Sequence, residues 1–247
     1  MRLLIDIGNS RIKWALGAGG KLFDPAGFAR PRADHDEAWE RAWGRLAPVG
    51  VTICSVAGRQ SVAALRGWVE RRWAVPFTEV RAREHCGPIV NAYADPASLG
   101  ADRWANLLGA RAALGSVDTI IVDAGTAVTV DALRADGRHL GGAILAGLSA
   151  SRAGLRCAAP ALPAAHEEAP LPSDNTAGAI GGGTLIGLAG AVERVATAVG
   201  GRLTAPARIL TGGDAERLAA WLDAGWSIDQ QLTLRGLLHG GDAACAG

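Results

Sequence analysis

Two segments of this sequence place an aspartate, a glycine and small polar side chains directly after an apolar run. They are Leu3–Ser10 (LLIDIGNS) and, about half a chain later, Ile120–Ala127 (IIVDAGTA). Glycine lets a backbone bend sharply and bring amide N–H groups close to a phosphate. The aspartate at the strand end could orient a hydrated Mg²⁺ or another cation. Either turn alone is better explained as an ordinary hairpin, but two copies favour a nucleotide phosphate site.

A carboxylate, a guanidinium and an aromatic ring come close together in Tyr93–Arg103 (YADPASLGADR), where Pro96 introduces a predicted helix through Leu114. Asp102 could accept a proton from a substrate hydroxyl, and Arg103 could pair with a substrate carboxylate. A helix start makes Asp102 a weak base, but phosphoryl transfer depends more on positioning. The alternative is an ion pair, although adjacent residues on a helix do not face each other.

A third segment, Ile209–Asp214 (ILTGGD), predicts a strand that runs into a Gly-Gly turn and an N-capped helix over Ala215–Leu222. The turn would offer a surface free of side chains, on which a nucleotide base or ribose could lie. Alone, the segment is better explained as a simple strand–helix connector. The sequence lacks both Gly-x-x-x-x-Gly-Lys-(Ser/Thr) and Gly-x-Gly-x-x-Gly, which excludes the two commonest phosphate-binding motifs.

The elements that must position these residues recur in the two halves of the chain. The first half predicts strands at Arg2–Ile7, Arg11–Leu16, Val51–Ser55 and Phe77–Val80, with helices between them. Because the opening strand–turn–strand pattern returns after Gly115–Asp118, we expect two lobes of related α/β fold. Chance resemblance between two short motifs is the alternative.

The amino-acid composition limits the kinds of partner that the protein can bind and indicates its cellular compartment. Hydrophobic residues make up 49% of the 247-residue chain, and 25 Lys and Arg oppose 24 Asp and Glu. No basic stripe recruits nucleic acid or a membrane surface. The four cysteines are scattered, which predicts reduced thiols in a cytosolic protein. The uncharged stretch Asn175–Val192 approaches the length of a membrane span, but its glycines favour a buried segment of a soluble protein.

Together these segments resemble the type III pantothenate kinases of the acetate kinase, sugar kinase, Hsp70 and actin superfamily. The resemblance runs from Met1 to about Leu222. It implies an α/β fold of two ribonuclease-H-like lobes of duplicated fold with an ATP cleft between them. Residues 1–116 would form the N-terminal lobe, with the first phosphate segment and the substrate-pocket residues. Residues 117–247 would form the C-terminal lobe, with the second phosphate segment and the adenosine segment.

The resemblance also implies a role for each matching residue. ATP contacts are implied at Asp6, Ile7, Gly8, Asn9, Ser10, Arg11, Ile12, Lys13, Thr126, Gly212 and Gly213. Pantothenate contacts are implied at Tyr93, Gly100, Ala101, Asp102, Arg103 and Thr176, with Asp102 as the catalytic base. Asp6 would hold hydrated Mg²⁺, and Asp123 would bind a monovalent cation, K⁺ or NH₄⁺. Ser10 stands where threonine is common in the family, and its hydroxyl preserves the phosphate contact.

The expected reaction is ATP-dependent phosphorylation of pantothenate to 4′-phosphopantothenate, the first step of coenzyme A biosynthesis. The resemblance further implies Mg²⁺ with ATP, a monovalent cation and a cytoplasmic homodimer, with no nucleic-acid or membrane partner. Two alternatives remain: another phosphotransferase or phosphatase of the superfamily, and a non-catalytic regulatory protein on the same fold. Tyr93 beside Asp102 and Arg103 argues against the first, and intact Asp6, Asp102 and Asp123 argue against the second.

Overall fold

The computed structural model describes residues 1–31, 33–165 and 170–241 and divides into two compact units. The first unit contains Met1–Ser116, Asp136–Arg138 and the chain from Gln231 onward. The second contains Val117–Ala135 and His139–Gln230. Each unit has its own five-stranded sheet.

The sheet of the first unit consists of β1 (Arg2–Ile7), β2 (Arg11–Ala18), β3 (Lys21–Ala29), β4 (Val51–Ser55) and β5 (Phe77–Glu79). The strand order is β3-β2-β1-β4-β5, antiparallel across β3, β2 and β1 and parallel across β1, β4 and β5. Leu3, Leu4 and Ile5 are fully buried. Strand β1 is therefore covered on both faces, which explains why its sequence is a continuous apolar run rather than an alternating one.

The described residues of this unit form the α-helices α1 (His35–Trp43), α2 (Arg59–Arg72), α3 (Ala101–Leu114) and, near the end of the chain, α7 (Leu232–Gly240). A small hairpin, β6 (His85–Cys86) and β7 (Ile89–Val90), precedes α3. Trp39 and Trp43, four residues apart on α1, are both buried, as helical spacing of apolar residues predicts. Their rings lie 6.0 and 6.1 Å from the ring of Trp68 on α2.

Helices α3 and α7 cross at two glycines. A Cβ on Gly109 would overlap the carbonyl oxygen of Leu232, and a Cβ on Gly236 would overlap that of Ala105. The two backbones therefore approach more closely than any larger residue at either glycine would allow. This contact fixes the last described helix against the helix that carries the predicted substrate residues.

The second unit repeats the first strand for strand. Its strands are β8 (Thr119–Ala124), β9 (Ala127–Leu133), β10 (His139–Ala146), β11 (Ala207–Thr211) and β12 (Trp226–Ile228), and its helices are α4 (Leu148–Ala158), α5 (Thr176–Val199) and α6 (Ala215–Ala219). The strand order is β10-β9-β8-β11-β12, with the same pattern of antiparallel and parallel pairs. The predicted duplicated α/β fold is confirmed.

The uncharged stretch predicted to be buried forms most of helix α5. One side of this helix is buried through Leu185, Leu188 and Val192. The glycines Gly183 and Gly187 are exposed on the other side, and a Cβ at either would meet open space. Within residues 1–31, 33–165 and 170–241, no helix combines the length and the apolarity needed to cross a membrane.

The expectation of reduced thiols is correct only in part. Cys54 and Cys157 are free. Cys86, which is 4% exposed, is in a disulfide, so the expectation is wrong for this residue. Cys245 lies outside the described residues. Spacing along a chain does not determine which distant cysteines pair, so the lack of a Cys-x-x-Cys motif carried little information.

Candidate active site

The first Asp-x-Gly turn connects β1 to β2. The Gly8 amide donates to the carbonyl oxygen of Arg11 at 3.0 Å, and a Cβ at Gly8 would lie 3.1 Å from that oxygen. The turn is therefore too tight for a larger residue without local adjustment. Asn9 and Ser10 are exposed at its tip, where their side chains meet solvent.

Asp6 lies one residue before the end of β1, between two paired strands. It is opposite Lys13 on β2 and opposite Cys54 on β4. The Cys54 thiol donates to Asp6 Oδ1 at 3.5 Å. Asp6 and Lys13 are partly buried and face the same side of the sheet, because directly paired residues do so. Ile7 and Ile12 are 2% exposed, so their predicted ATP contacts would have to come from the backbone.

Tyr93 and Arg103 meet in the first unit. Arg103 is only 4% exposed, and its Nη1 donates to the Tyr93 hydroxyl oxygen at 2.7 Å. The guanidinium carbon lies 5.5 Å from the centre of the tyrosine ring, within the range of a cation–π interaction. Burying a charged group is unfavourable unless it is hydrogen-bonded, so this contact helps to hold the guanidinium in place.

Helix α3 begins later than predicted. Pro96–Ser98 form a separate 3₁₀ turn, and the α-helix starts at Ala101. Leu99 and Gly100 separate the two because their ψ angles, 133° and 138°, are those of extended backbone. The prediction of one continuous helix from Pro96 is therefore wrong, whereas the placement of Asp102 in the first helical turn is correct.

The Asp102 carboxylate folds back over the start of its own helix. Its Oδ1 accepts a hydrogen bond from the Arg103 amide at 2.7 Å. This bond satisfies one of the amides that a helix start leaves without an intrahelical partner. Asp102 as a whole is partly buried.

One residue that sequence reasoning missed is Asn91. It is 9% exposed, and its side chain forms hydrogen bonds to the backbone of Arg83, Tyr93 and Pro96. The available signal was its position two residues before Tyr93, which is the spacing of an Asx turn.

The second Asp-x-Gly turn connects β8 to β9. The Gly125 amide donates to the Ala127 carbonyl oxygen at 3.0 Å, so this turn is one residue tighter than the first. Thr126 is exposed at its tip. Gly147, which the sequence did not single out, donates from its amide to the Thr126 carbonyl oxygen at 3.1 Å, and a Cβ there would overlap the Gly125 carbonyl oxygen. Gly147 therefore braces the turn from the start of α4.

The Gly-Gly segment packs directly on this second turn. Gly212 has φ +101°, and a Cβ there would overlap the backbone of Ala124. The Asp214 amide donates to the Ala124 carbonyl oxygen at 2.9 Å. The structure thus places the Gly212–Gly213 segment against the second Asp-x-Gly turn. The following helix is shorter than predicted, ending at Ala219, and the Asp214 side chain does not cap it.

A buried hydroxyl lies next to Asp123. Asp123 is paired with Thr129 on β9 and with Thr211 on β11, and is partly buried. Thr211 is fully buried, and its Oγ1 has no hydrogen-bond partner within the described part of the chain. A buried hydroxyl left unpaired is unfavourable by about 1–3 kcal/mol. This oxygen and the Asp123 carboxylate are both suited to a hard cation.

Thr176 lies in the second unit, whereas Tyr93, Asp102 and Arg103 lie in the first. It is the first residue of α5 and is exposed. Asn175 caps the helix, since its Oδ1 accepts from the Gly178 amide at 2.8 Å. The cap holds the helix start in a defined conformation.

The oxygen ligands available in the site fit a divalent ion that keeps most of its bound water molecules. Among the described residues, no group of three or more His, Cys, Asp and Glu side chains could hold a metal. Mg²⁺ in nucleotide sites takes one or two carboxylates and otherwise binds water and phosphate oxygens. A single carboxylate at the end of a strand, such as Asp6, suits that role.

Comparison with solved structures places the fold in a class. A Campylobacter jejuni protein described as a Baf family transcriptional activator matches 95% of this chain and 94% of its own length, with TM-score 0.60 and 21% identity. Component A of (R)-2-hydroxyglutaryl-CoA dehydratase from Acidaminococcus fermentans matches 96% and 95%, with TM-score 0.56 and 14% identity. At these identities the likeness concerns the fold alone. The class is that of α/β proteins built from two units of duplicated fold.

Sequence comparison narrows the class to one family. The family model described as type III pantothenate kinase matches residues 2–198. Type III pantothenate kinases from Halorhodospira halophila and Nitrosococcus oceani are 37% and 35% identical to this chain, covering 97% and 96% of it and 97% and 92% of their own lengths. The chain belongs to the type III pantothenate kinase family.

Proposed function

We propose that this chain transfers the γ-phosphoryl group of ATP to the 4′-hydroxyl of pantothenate, the first step of coenzyme A biosynthesis. The observation that carries the proposal is the group formed by Tyr93, Asp102 and Arg103 at the start of α3. It offers a buried guanidinium for a carboxylate and a nearby carboxylate for a hydroxyl. Pantothenate is a small molecule with both groups.

The substrate would be held and activated by neighbouring residues. Arg103 pairs with the pantothenate carboxylate, and Tyr93, already hydrogen-bonded to Arg103, keeps the guanidinium oriented. Asp102 orients the hydroxyl and accepts its proton as the hydroxyl oxygen forms a bond to the γ-phosphorus. The bond from that phosphorus to the β–γ bridging oxygen breaks, and ADP leaves. Gly100 and Ala101 line the pocket beside Asp102, and the family resemblance adds Thr176 as a further pantothenate contact.

The nucleotide would contact backbone and side chains at the two turns. Asn9, Ser10 and Lys13 bind phosphate oxygens in the first unit, with backbone contacts along residues 7–12. Thr126 binds phosphate in the second unit, and Gly212 and Gly213 leave space for the adenosine. Asp6 holds the hydrated Mg²⁺ that accompanies ATP, which neutralises part of the phosphate charge.

Asp123 would bind a monovalent cation, K⁺ or NH₄⁺. The unpaired hydroxyl of Thr211 supports this role, because it places a second oxygen beside the Asp123 strand position. A single partly buried carboxylate and a neutral hydroxyl suit a singly charged ion.

We further propose that the boundary between lobes 1–116 and 117–247 lies between the two units, that α7 belongs to the first lobe, and that the protein is a cytoplasmic homodimer. The exposed glycine face of α5 supports the dimer, since Gly183 and Gly187 permit close approach of another backbone. Light scattering should give a dimer for the wild type and a monomer for Gly187→Leu. Ala113→Leu, an exposed position on α3, is the control and should stay dimeric.

The function is tested with purified protein, ATP, Mg²⁺ and pantothenate, following ADP release and identifying the product by mass spectrometry. Asp102→Asn keeps the shape but removes the proton acceptor, so kcat should fall by roughly 10²–10⁴ while pantothenate binding persists. Near-normal turnover by that variant would remove Asp102 from the chemistry. ATP binding without ADP release on any hydroxylated carboxylate would indicate a regulatory protein.

A further inference from the structure

Asn91 connects three separate stretches of backbone around the Tyr93 segment. Its Nδ2 donates to the Arg83 carbonyl oxygen at 3.1 Å and to the Pro96 carbonyl oxygen at 3.2 Å. Its Oδ1 accepts from the Tyr93 amide at 3.0 Å. Its own amide donates to the Glu84 carbonyl oxygen at 2.8 Å. The side chain thus joins the hairpin before it, the tyrosine after it and the turn that leads into α3.

The chemistry of these partners fixes the orientation of the Asn91 amide. Two partners are carbonyl oxygens, which need a donor, and the third is an N–H group, which needs an acceptor. Only an amide with its nitrogen towards Arg83 and Pro96 satisfies all three. The reversed amide would place oxygen against two oxygens. Each side-chain group therefore has a specific partner at a site that is 9% exposed.

We propose that Asn91 is the positioning residue that holds Tyr93 against Arg103 and so sets the affinity of the site for the carboxylate end of its substrate. This inference rests on the proposed function. Asn91 holds Tyr93 by accepting from its backbone amide. It holds the turn that leads into α3 by donating to the Pro96 carbonyl oxygen. Asn91 is the side chain bonded to both, so it fixes the spacing across which the Tyr93 hydroxyl meets Arg103.

The geometry selects asparagine over its closest substitutes. Asn91→Asp has the same shape, but its carboxylate would face the Arg83 and Pro96 carbonyl oxygens without a proton to donate. Asn91→Ser is too short to reach partners on three sides. Both variants remove the Asn91 donor from the Arg83 and Pro96 carbonyl oxygens, and the loss of these two hydrogen bonds is unfavourable enough to move the segment. Their shared consequence is a displaced Tyr93.

A direct readout exists because Tyr93 is the only tyrosine in the chain. Protein labelled with ¹³C-tyrosine should give one set of ring signals, all from Tyr93. We expect Asn91→Asp and Asn91→Ser to shift or broaden these signals in the absence of any substrate. Asn106→Asp is the matched control: Asn106 is 2% exposed, accepts from Thr233 Oγ1 at 2.8 Å and lies on α3 facing α7. It should lower the melting temperature and leave the Tyr93 signals in place.

Kinetics then link the position of Tyr93 to substrate affinity. In Asn91→Asp the KM for pantothenate should rise roughly 10-fold, while kcat and the KM for ATP stay within about twofold. The same change in a Tyr93→Phe background should have a smaller effect, because the hydroxyl through which Asn91 acts is already gone. A general loss of stability would instead affect both substrates equally.

The outcomes separate the two proposals. Unchanged Tyr93 signals in both Asn91 variants, or equal increases in the two KM values, overturn the role of Asn91. A wild-type protein that phosphorylates no pantothenate overturns the proposed function. In that case the tyrosine signals alone decide whether Asn91 holds Tyr93. Full additivity of Asn91→Asp and Tyr93→Phe shows that Asn91 does not act through the tyrosine hydroxyl and also overturns the inference.

Discussion

The space that Gly100 leaves open is adjacent to the Asp102 carboxylate: a Cβ at Gly100 would lie 2.7 Å from Asp102 Oδ1. Gly100 has φ −56° and ψ 138°, values that any residue adopts. Glycine is therefore needed at this position because it leaves room for the Asp102 carboxylate, and not because the backbone conformation requires it. A methyl group there would meet the movable end of a side chain, so the fold could absorb it by turning the carboxylate away.

This relationship predicts that Gly100→Ala separates stability from activity. We expect the free energy of unfolding to fall by no more than about 1.5 kcal/mol, because moving the carboxylate costs at most its hydrogen bond to the Arg103 amide. We expect kcat to fall roughly 10-fold or more, because the proposed base loses its alignment with the hydroxyl. Chemical denaturation and steady-state kinetics measure the two effects. Gly67→Ala, whose Cβ would meet only ordinary contacts, is the control, and wild-type kcat in Gly100→Ala would contradict the placement of Asp102.

Arg103→Gln should weaken pantothenate binding more than ATP binding. The variant removes the buried positive charge and the bond to the Tyr93 hydroxyl, so the KM for pantothenate should rise roughly 10-fold or more. Arg103→Lys, which keeps the charge but not the forked geometry, should give an intermediate value. The KM for pantothenate and the KM for ATP, each measured at a saturating concentration of the other substrate, show which substrate Arg103 binds. A change confined to the KM for ATP would move Arg103 to the phosphate site.

The sheets were predictable because their signals are local. The apolar runs that end in Asp6 and Asp123 identify buried strands, and their repetition identifies a duplicated fold. The Trp39 and Trp43 pair likewise reports a helix face through spacing alone. In each case the residues that make the pattern are neighbours in sequence.

The features that the sequence did not predict depend on contacts between residues far apart in the chain. Position 236 must be glycine because a side chain there would overlap the backbone of Ala105, and position 147 because a side chain there would overlap the backbone of Gly125. In each pair the two residues are too far apart in sequence for a local pattern to relate them. The start of α3 was misplaced because the extended Leu99 and Gly100 override a good helix signal at Pro96. Tertiary packing decides such positions, and sequence pattern alone does not reveal it.

Asp118 ties two loops of the second unit together through its carboxylate. Its Oδ2 accepts from the Thr204 amide at 2.7 Å, and its Oδ1 accepts from the Ala135 amide at 2.6 Å. These two bonds, the Thr204 bond first, hold the pKa of Asp118 below its ordinary value of 3.8. Because the folded pKa is lowered, the stabilisation is complete above the unfolded pKa, about 4. It is lost as the pH falls through the lowered folded pKa.

Asp118→Asn should therefore destabilise the protein in a pH-dependent way. At pH 7 the variant should melt at a lower temperature than the wild type. The asparagine side chain is uncharged and has a single acceptor oxygen, so it cannot replace the two carboxylate oxygens that accept from Thr204 and Ala135. The difference should shrink below about pH 4, as the wild-type carboxylate gains its proton. Melting curves from pH 7 to pH 3 measure it. Asp24→Asn, at an exposed position, should show no such trend, and a constant difference for Asp118→Asn would contradict the linkage.

The proposed cation site rests on two oxygen-bearing side chains that are paired in register, Asp123 on β8 and Thr211 on β11. Removing the carboxylate should remove the site. Removing only the hydroxyl should weaken the site without harming the fold, because Thr211 Oγ1 forms no bond within the described residues. Thr211→Val matches the threonine in shape and takes away just that oxygen.

We therefore expect wild-type activity to be stimulated by K⁺ over Na⁺, and Asp123→Ala to lose this stimulation while keeping its fold. Thr211→Val should need roughly 10-fold more K⁺ for half-maximal activity and should melt at the same or a higher temperature, since a buried unpaired hydroxyl is unfavourable. Titrations of KCl and NaCl at constant ionic strength, with choline chloride as the balance, measure the activation. Equal activity in K⁺ and Na⁺ would remove the cation from the proposal. An unchanged K⁺ requirement in Thr211→Val would leave Asp123 as the ligand and exclude the hydroxyl; neither result would alter the assignment of Asp102 as the base.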